Sequence, residues 1–528
     1  MVNPAFANLS DRPARILGLG AADDTCDSPG QGNRVRTMMQ RPNLGSTAGY
    51  IAWHARHSPE AAAIVEDGST VSYLSMAMDL VRCVRAIEAL GVRPDMLAGV
   101  EAPGRYVHLL LLLACEVIGA ATIQLTMGQH DEMARYCDIV LTNIAWGTDG
   151  PPRTVTIPPG WLATLKAAPV HATALNLLER DVVPGRVVRI VRTSGTSGMR
   201  KAMALSVATQ QRRVSGGIEH LPRNLPPRPR LLCLYSLATG AVLRRVLTIL
   251  QLGGAILFAA GEDACALIAA GSVHCALFAV GDVERMIPYA SPPPAGHPLH
   301  IIAFGATVTP RLRQQIRQRL HANIESGYSS NETNRIAIMD DDNIGTLCPG
   351  VEVRIVNDTG QDVPRGSVGI IRVRNETMVR GYFNDDALTR ASFIDGWFQT
   401  SDVGFMPEPG KLVVLGRADE MLNIGGVKIA PSPIEAEMKV VDGISDAVVM
   451  SVASENGVGI LLAAIEIAGD RLMEDTAQRI GAILSRYLGA FVIMPSHRFP
   501  RTASGKIRRQ EIEAEYRRRP AHGLIAVT

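Results

Sequence analysis

The sequence predicts an α/β fold with more than one domain, on three observations. Strand-like and helix-like patterns alternate over residues 46–127 and again over 231–308. From residue 351 the pattern turns β-rich, and after Gly416-Arg417 it mixes strands with helices. At 528 residues the chain is also too long for one compact core.

The elements follow in order. Residues 1–43 are rich in Gly, Asp, Pro and Arg, lack an apolar signal-peptide core, and are expected to form a flexible N-terminal extension. Tyr50 to His57 and Tyr73 to Leu90 have helical spacing, the second ending at Gly91, and Leu97 to Val100 is a short apolar strand. Such alternation implies a parallel sheet with helices on its faces. Val107 to Met127 is the one membrane-like stretch, but Glu116, Gly119, Thr122 and Gln124 interrupt it. A buried helix, a tight turn and a buried strand are expected there, and no membrane span.

The alternation returns with a strand at Leu231 to Tyr235, a helix at Val242 to Gln251, and strands at Ala255 to Phe258, Ala276 to Val280 and His300 to Phe304. Ser291-Pro292-Pro293-Pro294 reads as a loop. Val351 to Val356 and Ser367 to Val373 are strands of a smaller β-rich unit, with turns at Asp358-Thr359-Gly360 and Pro364-Arg365-Gly366. The last region holds strands at Ala447 to Val452 and Ile460 to Ile467 and helices at Pro433 to Lys439 and Leu472 to Tyr487. It is an α+β unit of domain size.

Composition narrows the function. With 47% hydrophobic and 20% charged residues the chain is globular. A net charge of +2 gives no basic field for nucleic acid, and the clusters Arg311 to Arg319 and Arg517-Arg518-Arg519 read as solvated helix faces. Eight cysteines form no C-x-x-C pair, which argues against a zinc ribbon or thioredoxin-type site. Scattered in apolar runs, they fit a reduced, cytoplasmic setting.

Four segments carry chemistry. In Ile190 to Ser206 (IVRTSGTSGMRKAMALS), apolar strand residues enter a loop of Thr, Ser and Gly. Gly195 and Gly198 let the backbone approach an anion, the hydroxyls of Thr193, Ser194, Thr196 and Ser197 add donors, and Lys201 adds a full charge. This is phosphate-cradling chemistry, the plainer alternative being a flexible surface loop, and it is not a Walker A loop, because the lysine stands apart from the glycines. In Glu325 to Asn334 (ESGYSSNETN), a glutamate beside hydroxyl and amide residues can supply an oxygen suited to Mg²⁺, and Tyr328 a face for stacking on a base; the plainer alternative is a polar loop. Thr400-Ser401-Asp402 and Gly416-Arg417-Ala418-Asp419 offer a carboxylate for ribose hydroxyls and an arginine for sugar or phosphate, or a surface salt bridge. Phe499 to Arg509 (FPRTASGKIRR) presents Lys506 after a Ser-Gly turn, or forms a solvated basic tail.

In order and spacing the four segments resemble the adenylate-forming superfamily: acyl-CoA synthetases, peptide-synthetase adenylation domains and luciferase, the AMP-dependent synthetase and ligase family. The family's T-S-G-T-T-G-x-P-K-G is here TSGTSGMRKA, its Y-G-x-T-E is Tyr328 to Glu332, and its T-G-D is Thr400 to Asp402. Its G-R-x-D hinge is Gly416 to Asp419, its glycine loop Gly425-Gly426-Val427-Lys428, and its P-K-T-x-S-G-K Pro500 to Lys506. The resemblance covers residues 45–515. Arg200, Ala202, Ser329, Asn331 and Ser401 depart from the pattern, while the charged groups Lys201, Glu332, Asp402, Arg417 and Lys506 are kept.

The resemblance implies a large N-terminal domain, residues 44–418, of layered, mostly parallel sheets with a small β-barrel-like subdomain. A smaller, mobile α+β domain, residues 419–528, would turn about Asp419. It implies ATP-dependent formation of an acyl-adenylate, then transfer to a thiol. Thr193 to Gly198, Lys201 and Asn331 would lie at the nucleotide, Thr193 and Glu332 would hold Mg²⁺, and Gly305-Ala306-Thr307 with Tyr328 would bracket the adenine. Asp402 would take the ribose with Arg417 nearby, Lys506 would bridge carboxylate and α-phosphate, and the loop at Lys428 would move to the thiol channel.

By the same resemblance, Tyr235 to Gly240 falls where amino-acid-activating members carry an acidic residue. It holds no Asp or Glu, which implies an acid without an α-amino group; it also lacks the histidine of fatty- and aryl-acid ligases. Phe304 replaces a common glycine and either shortens the acyl pocket or points into the core. Coenzyme A is the expected acceptor. The alternatives are a separate acyl carrier protein as acceptor, or a non-catalytic nucleotide- or acyl-binding member.

Overall fold

The computed structural model describes residues 44–102, 104–125, 131–143, 153–192, 201–424, 427–453, 459–467, 469, 472–487, 491–501, 507–519 and 524–527. The extension 1–43, the loop Thr193 to Gly198, Gly425-Gly426 and Lys506 lie outside the described residues.

The apolar run after Gly104 folds as helix α1 (Arg105–Ile118), closed by Gly119 at φ 93° and followed by strand Ala121–Gln124. A left-handed residue is needed to end the helix so sharply, and only glycine adopts it freely. The α1 residues Leu109 to Leu113 are all buried, so the helix packs on every face inside the protein. No described helix is long and apolar enough to cross a membrane.

A six-stranded sheet runs Thr154–Thr156, Ile139–Thr142, Leu97–Glu101, Ala121–Gln124, β1 (Val187–Arg192) and β2 (Ala202–Ser206). All neighbours are parallel except β1 and β2, which form an antiparallel pair with Arg192 opposite Ala202. The two ends of the segment 193–200 therefore stand side by side. Helix α2 (Val207–Glu219) follows at once, its first turn capped by the Ser206 side chain, which accepts from Thr209 N at 3.2 Å. It packs against α3 (Gly240–Gln251).

A second sheet is larger, with fourteen strands. Its parallel part orders Ala62–Glu66, Ala255–Phe258, Arg230–Cys233, Cys275–Ala279, His300–Phe304 and β3 (Asn323–Ser330). The middle four of these, Ala255–Phe258, Arg230–Cys233, Cys275–Ala279 and His300–Phe304, are mostly apolar and buried on both faces, as parallel strands covered by helices must be. Hydrogen bonding then passes through the hairpin partner β4 (Asn334–Met339) into antiparallel strands that include β5 (Trp397–Phe405) and β6 (Lys411–Arg417). The β-rich unit is thus continuous with the large sheet.

After β6 come a short hairpin, Leu422–Ile424 with Val427–Ile429, and a four-stranded sheet with helices Pro431–Lys439, Glu474–Ser485 and Arg509–Arg518. This part has its own apolar core around Ile434, Ala447, Ile465, Ile480 and Phe491.

Candidate active site

Four chain segments far apart in sequence meet at the end of β3. The β3–β4 hairpin turns tightly, with Ser330 paired to Asn334. Asn334 adopts φ 68°, a left-handed conformation that asparagine tolerates, and Ser330 Oγ accepts from Thr333 N at 3.0 Å. Glu332 sits on this turn and is buried. Its carbonyl oxygen accepts from Val379 N at 2.9 Å and from Arg213 Nη2 at 3.0 Å. Its carboxylate accepts the Tyr382 hydroxyl at Oε1, at 2.8 Å.

Tyr382 reaches the turn because residues 379–383 dock on β2. Phe383 N donates to Ala202 O at 2.7 Å, and Tyr382 forms an isolated bridge with Met203. The ring of Tyr382 then lies under Lys201, whose Nζ is 5.3 Å from the ring centroid. Burial, reinforced by the Glu332 charge, pushes the Tyr382 phenol well above its ordinary value, so it stays a donor. One side chain thus links the lysine after segment 193–200 to the carboxylate of the β3–β4 turn.

Tyr328 lies four residues before Glu332, near the end of β3. Its hydroxyl donates to Asp402 Oδ2 at 2.6 Å, and its ring leans on the apolar cluster of Ile336, Ile355 and Ile371. Burial and the Asp402 charge raise its phenol far above the usual range. Asp402 faces Arg417 across β5 and β6. Arg417 Nε donates to Asp419 Oδ1 at 3.1 Å in the short turn Ala418–Glu420. Gly305, at φ 92°, opens an exposed turn with Ala306 and Thr307 after His300–Phe304.

The structure therefore groups Lys201, Tyr328, Asn331, Glu332, Asp402 and Arg417 about the end of β3, and the Gly305 turn follows the strand His300–Phe304 that pairs with β3. Lys428 lies on the strand Val427–Ile429. Thr193 to Gly198 and Lys506 fall outside the described residues. Tyr382 and Arg213 are new to the site. Tyr382 lies in Arg380-Gly381-Tyr382-Phe383-Asn384, and only its contacts with Met203 and Glu332 in the fold mark it.

The donor set suits Mg²⁺. Tyr382 takes Oε1 of Glu332, and Oε2 accepts from no other described residue, which leaves a hard oxygen for the cation. Among the described residues no cluster of three His, Cys, Asp or Glu suggests a different metal.

The stretch before α3 has a structural role in part. The Tyr235 hydroxyl donates to Asp282 and accepts from Ala279 N at 2.7 Å. The Phe304 ring stands edge-on to Tyr235, with centroids 5.1 Å apart, so it packs against the core.

The profile of the family described as AMP-binding enzyme matches residues 51–383. The chain is 30% identical over 225 residues to an indoleacetate–CoA ligase of Aromatoleum aromaticum, covering 40% of this chain and 44% of that protein. It is 30% identical over 222 residues to a 3-hydroxybenzoate–CoA ligase of an Aromatoleum species, covering 40% and 42%. Each match spans less than half of the relative's length. Among solved structures, ATP-bound MatB from Rhodopseudomonas palustris superposes with a TM-score of 0.77 at 20% identity, covering 89% of this chain and 99% of that one. O-succinylbenzoate coenzyme A synthetase from Bacillus subtilis, with ATP and magnesium ion, gives 0.74 at 18%, covering 88% and 99%. At these identities the structures establish a common fold.

Proposed function

The chain belongs to the AMP-binding enzyme family, and from that premise we propose that it activates a carboxylic acid lacking an α-amino group and passes the acyl group to coenzyme A. The observation that carries this reading is the grouping of Lys201, Glu332, Tyr328 and Asp402 about the end of β3, through the Lys201–Tyr382–Glu332 contacts and the Tyr328–Asp402 hydrogen bond. A phosphate-side lysine, a metal-side carboxylate and a sugar-side carboxylate are what a nucleoside triphosphate requires.

In the first step a carboxylate oxygen of the acid attacks the α-phosphorus of ATP and pyrophosphate leaves. Asp402 accepts the ribose hydroxyls, with Arg417 beside it. Tyr328 and the Gly305-Ala306-Thr307 turn bracket the adenine. Lys201, with Thr193 to Gly198, holds the β- and γ-phosphates, and Asn331 lies next to them. Glu332 and Thr193 would hold Mg²⁺, which would supply positive charge against the triphosphate. Lys506 offsets the charge that builds where the two anions meet.

In the second step the thiol sulfur attacks the acyl carbon and AMP leaves. Residues 419–528 turn about Asp419 between the steps and bring the loop at Lys428 to the thiol. The relatives named as CoA ligases support coenzyme A as acceptor. Acid-dependent ATP–pyrophosphate exchange tests the first step. Thioester formation from the adenylate, with coenzyme A against an acyl carrier protein, tests the second. A thioester formed only with the carrier would replace coenzyme A as the acceptor.

A further inference from the structure

Behind Glu332 lies a group of arginines that its own carboxylates do not balance. Helix α3 starts at Gly240, where an added Cβ would meet Val191 of β1 at 3.1 Å and lie 3.8 Å from Asn331 Oδ1. Its first turn thus stands beside the β3–β4 turn. Arg244 and Arg245 follow one turn along the same helix. Arg213 of α2 donates to the Glu332 carbonyl, and Arg335 of β4 pairs with Glu325 of β3.

Glu325 is already saturated. Beyond Arg335 it has Arg245 Nη2 at 3.7 Å and His300 Nε2 at 3.4 Å. Even so, donors remain unused: Arg245 Nη1, Arg335 Nη1 and His300 Nδ1 are buried without a hydrogen-bond partner, and Arg245 is 1% exposed. Arg244 is partly buried, and its guanidinium makes no hydrogen bond or ion pair with another described residue. Its Nη1 lies 3.5 Å from where a Cβ on Gly217 of α2 would stand, in the seam between α2 and α3. Burial, then the charges of Arg245, Arg335 and Arg213, push it well below the ordinary arginine value, with Glu325 the one carboxylate opposing them.

A partly buried guanidinium packed among other guanidinium groups, one of them 1% exposed, is costly unless an anion neutralises it. We propose that the acid this chain activates carries a second carboxylate, received by Arg244 together with the unused donors of Arg245 and Arg335. This rests on the adenylation reading and names its substrate class: a dicarboxylic acid, with one carboxylate reacting beside Glu332 and Lys201 and the other held at the arginines. The planar guanidinium fork matches a carboxylate in two parallel hydrogen bonds. The same positive field repels an ammonium, which gives a physical reason for excluding α-amino acids.

The test compares several aliphatic and aryl dicarboxylic acids, each against its own half-ester, in ATP–pyrophosphate exchange with the full chain. The half-ester keeps the reacting carboxylate and the size of the molecule while removing the second charge. Wild type is expected to favour the diacid by about 100-fold in kcat/KM, because the ester leaves buried donors unpaired. Arg244→Met is expected to lower that ratio about tenfold or more, and Arg244→Lys to keep part of it. The Arg244→Met melting temperature should equal or exceed that of wild type, since a repelled charge is removed; a lower one would speak for a structural role. Equal use of diacid and half-ester by wild type, or an unchanged ratio in Arg244→Met, overturns the inference and leaves adenylation standing. Absence of exchange with every acid overturns both.

Discussion

Tyr382→Phe removes one hydroxyl from a buried site and leaves the ring that faces Lys201. The hydroxyl donates to Glu332 Oε1 at 2.8 Å, and Tyr382 is 7% exposed, so water does not readily take its place. A hydrogen bond to a charged group contributes about 1.5–3 kcal/mol. Part of that loss will register as stability, lowering the melting temperature by a few degrees, on the order of 2–4 °C per kcal/mol. The rest falls on the carboxylate, which is no longer held toward the magnesium ion proposed for it. Groups that orient a metal ligand typically cost about 10–100-fold in metal affinity when removed. The assay is pyrophosphate exchange over a magnesium titration, with thermal stabilisation by magnesium and ATP as a second readout. Half-saturating magnesium should rise about tenfold or more while the lysine contact persists. An unchanged magnesium dependence, with only a lower melting temperature, would refute the positioning argument and leave Tyr382 as packing.

Other outcomes follow from the same geometry. Asp402→Asn weakens the acceptor for the ribose and the partner of Tyr328. It should raise KM for ATP by about 10–100-fold with little change in KM for the acid, read from exchange kinetics. Arg189 of β1 is buried and donates to Glu116 Oε2 at 3.1 Å, Thr122 Oγ1 at 2.7 Å and Gln210 Oε1 at 3.0 Å. Arg189→Met strands the Glu116 charge and should cost about 3–5 kcal/mol in denaturant unfolding, part of it recovered in the double variant with Glu116→Leu. His108 on α1 is buried, which together with the nearby Arg189 charge lowers its pKa to about 4. The folded state holds it neutral while the unfolded chain takes up a proton below about 6.5, so its contribution is complete above that pH and is lost as pH falls toward about 4. The span corresponds to about 3 kcal/mol, and His108→Leu should flatten the melting temperature against pH across it.

Periodicity made much of the fold legible. Of the run Val107 to Met127, the described part, Val107 to Leu125, folds as the helix, turn and strand that its interruptions at Glu116, Gly119, Thr122 and Gln124 imply, because a left-handed glycine ends the helix. The strands of 231–304 are continuous apolar runs, and they form a parallel core. Residues 323–339 were harder to read. They are polar, and β3 shows no alternation, yet they pair as a hairpin because backbone bonding to His300–Phe304 sets their place.

The charged members of the site were visible as motif residues, but what holds them was not. Tyr382 comes to Glu332 through a bridge between chain positions 203 and 382, a contact that no local pattern encodes. Arg213 and Arg245 belong to helices whose basic residues would ordinarily cover a solvated face. They are buried because α2 and α3 pack on one another beside β3, a consequence of tertiary packing alone.

Acid-dependent exchange of pyrophosphate into ATP tests the central claim most directly, run over short, long, aromatic and dicarboxylic acids with wild type and Lys506→Ala. Exchange should require one class of acid and be lost in Lys506→Ala while ATP binding persists. ATP binding by the wild-type chain with no exchange for any acid would contradict that claim.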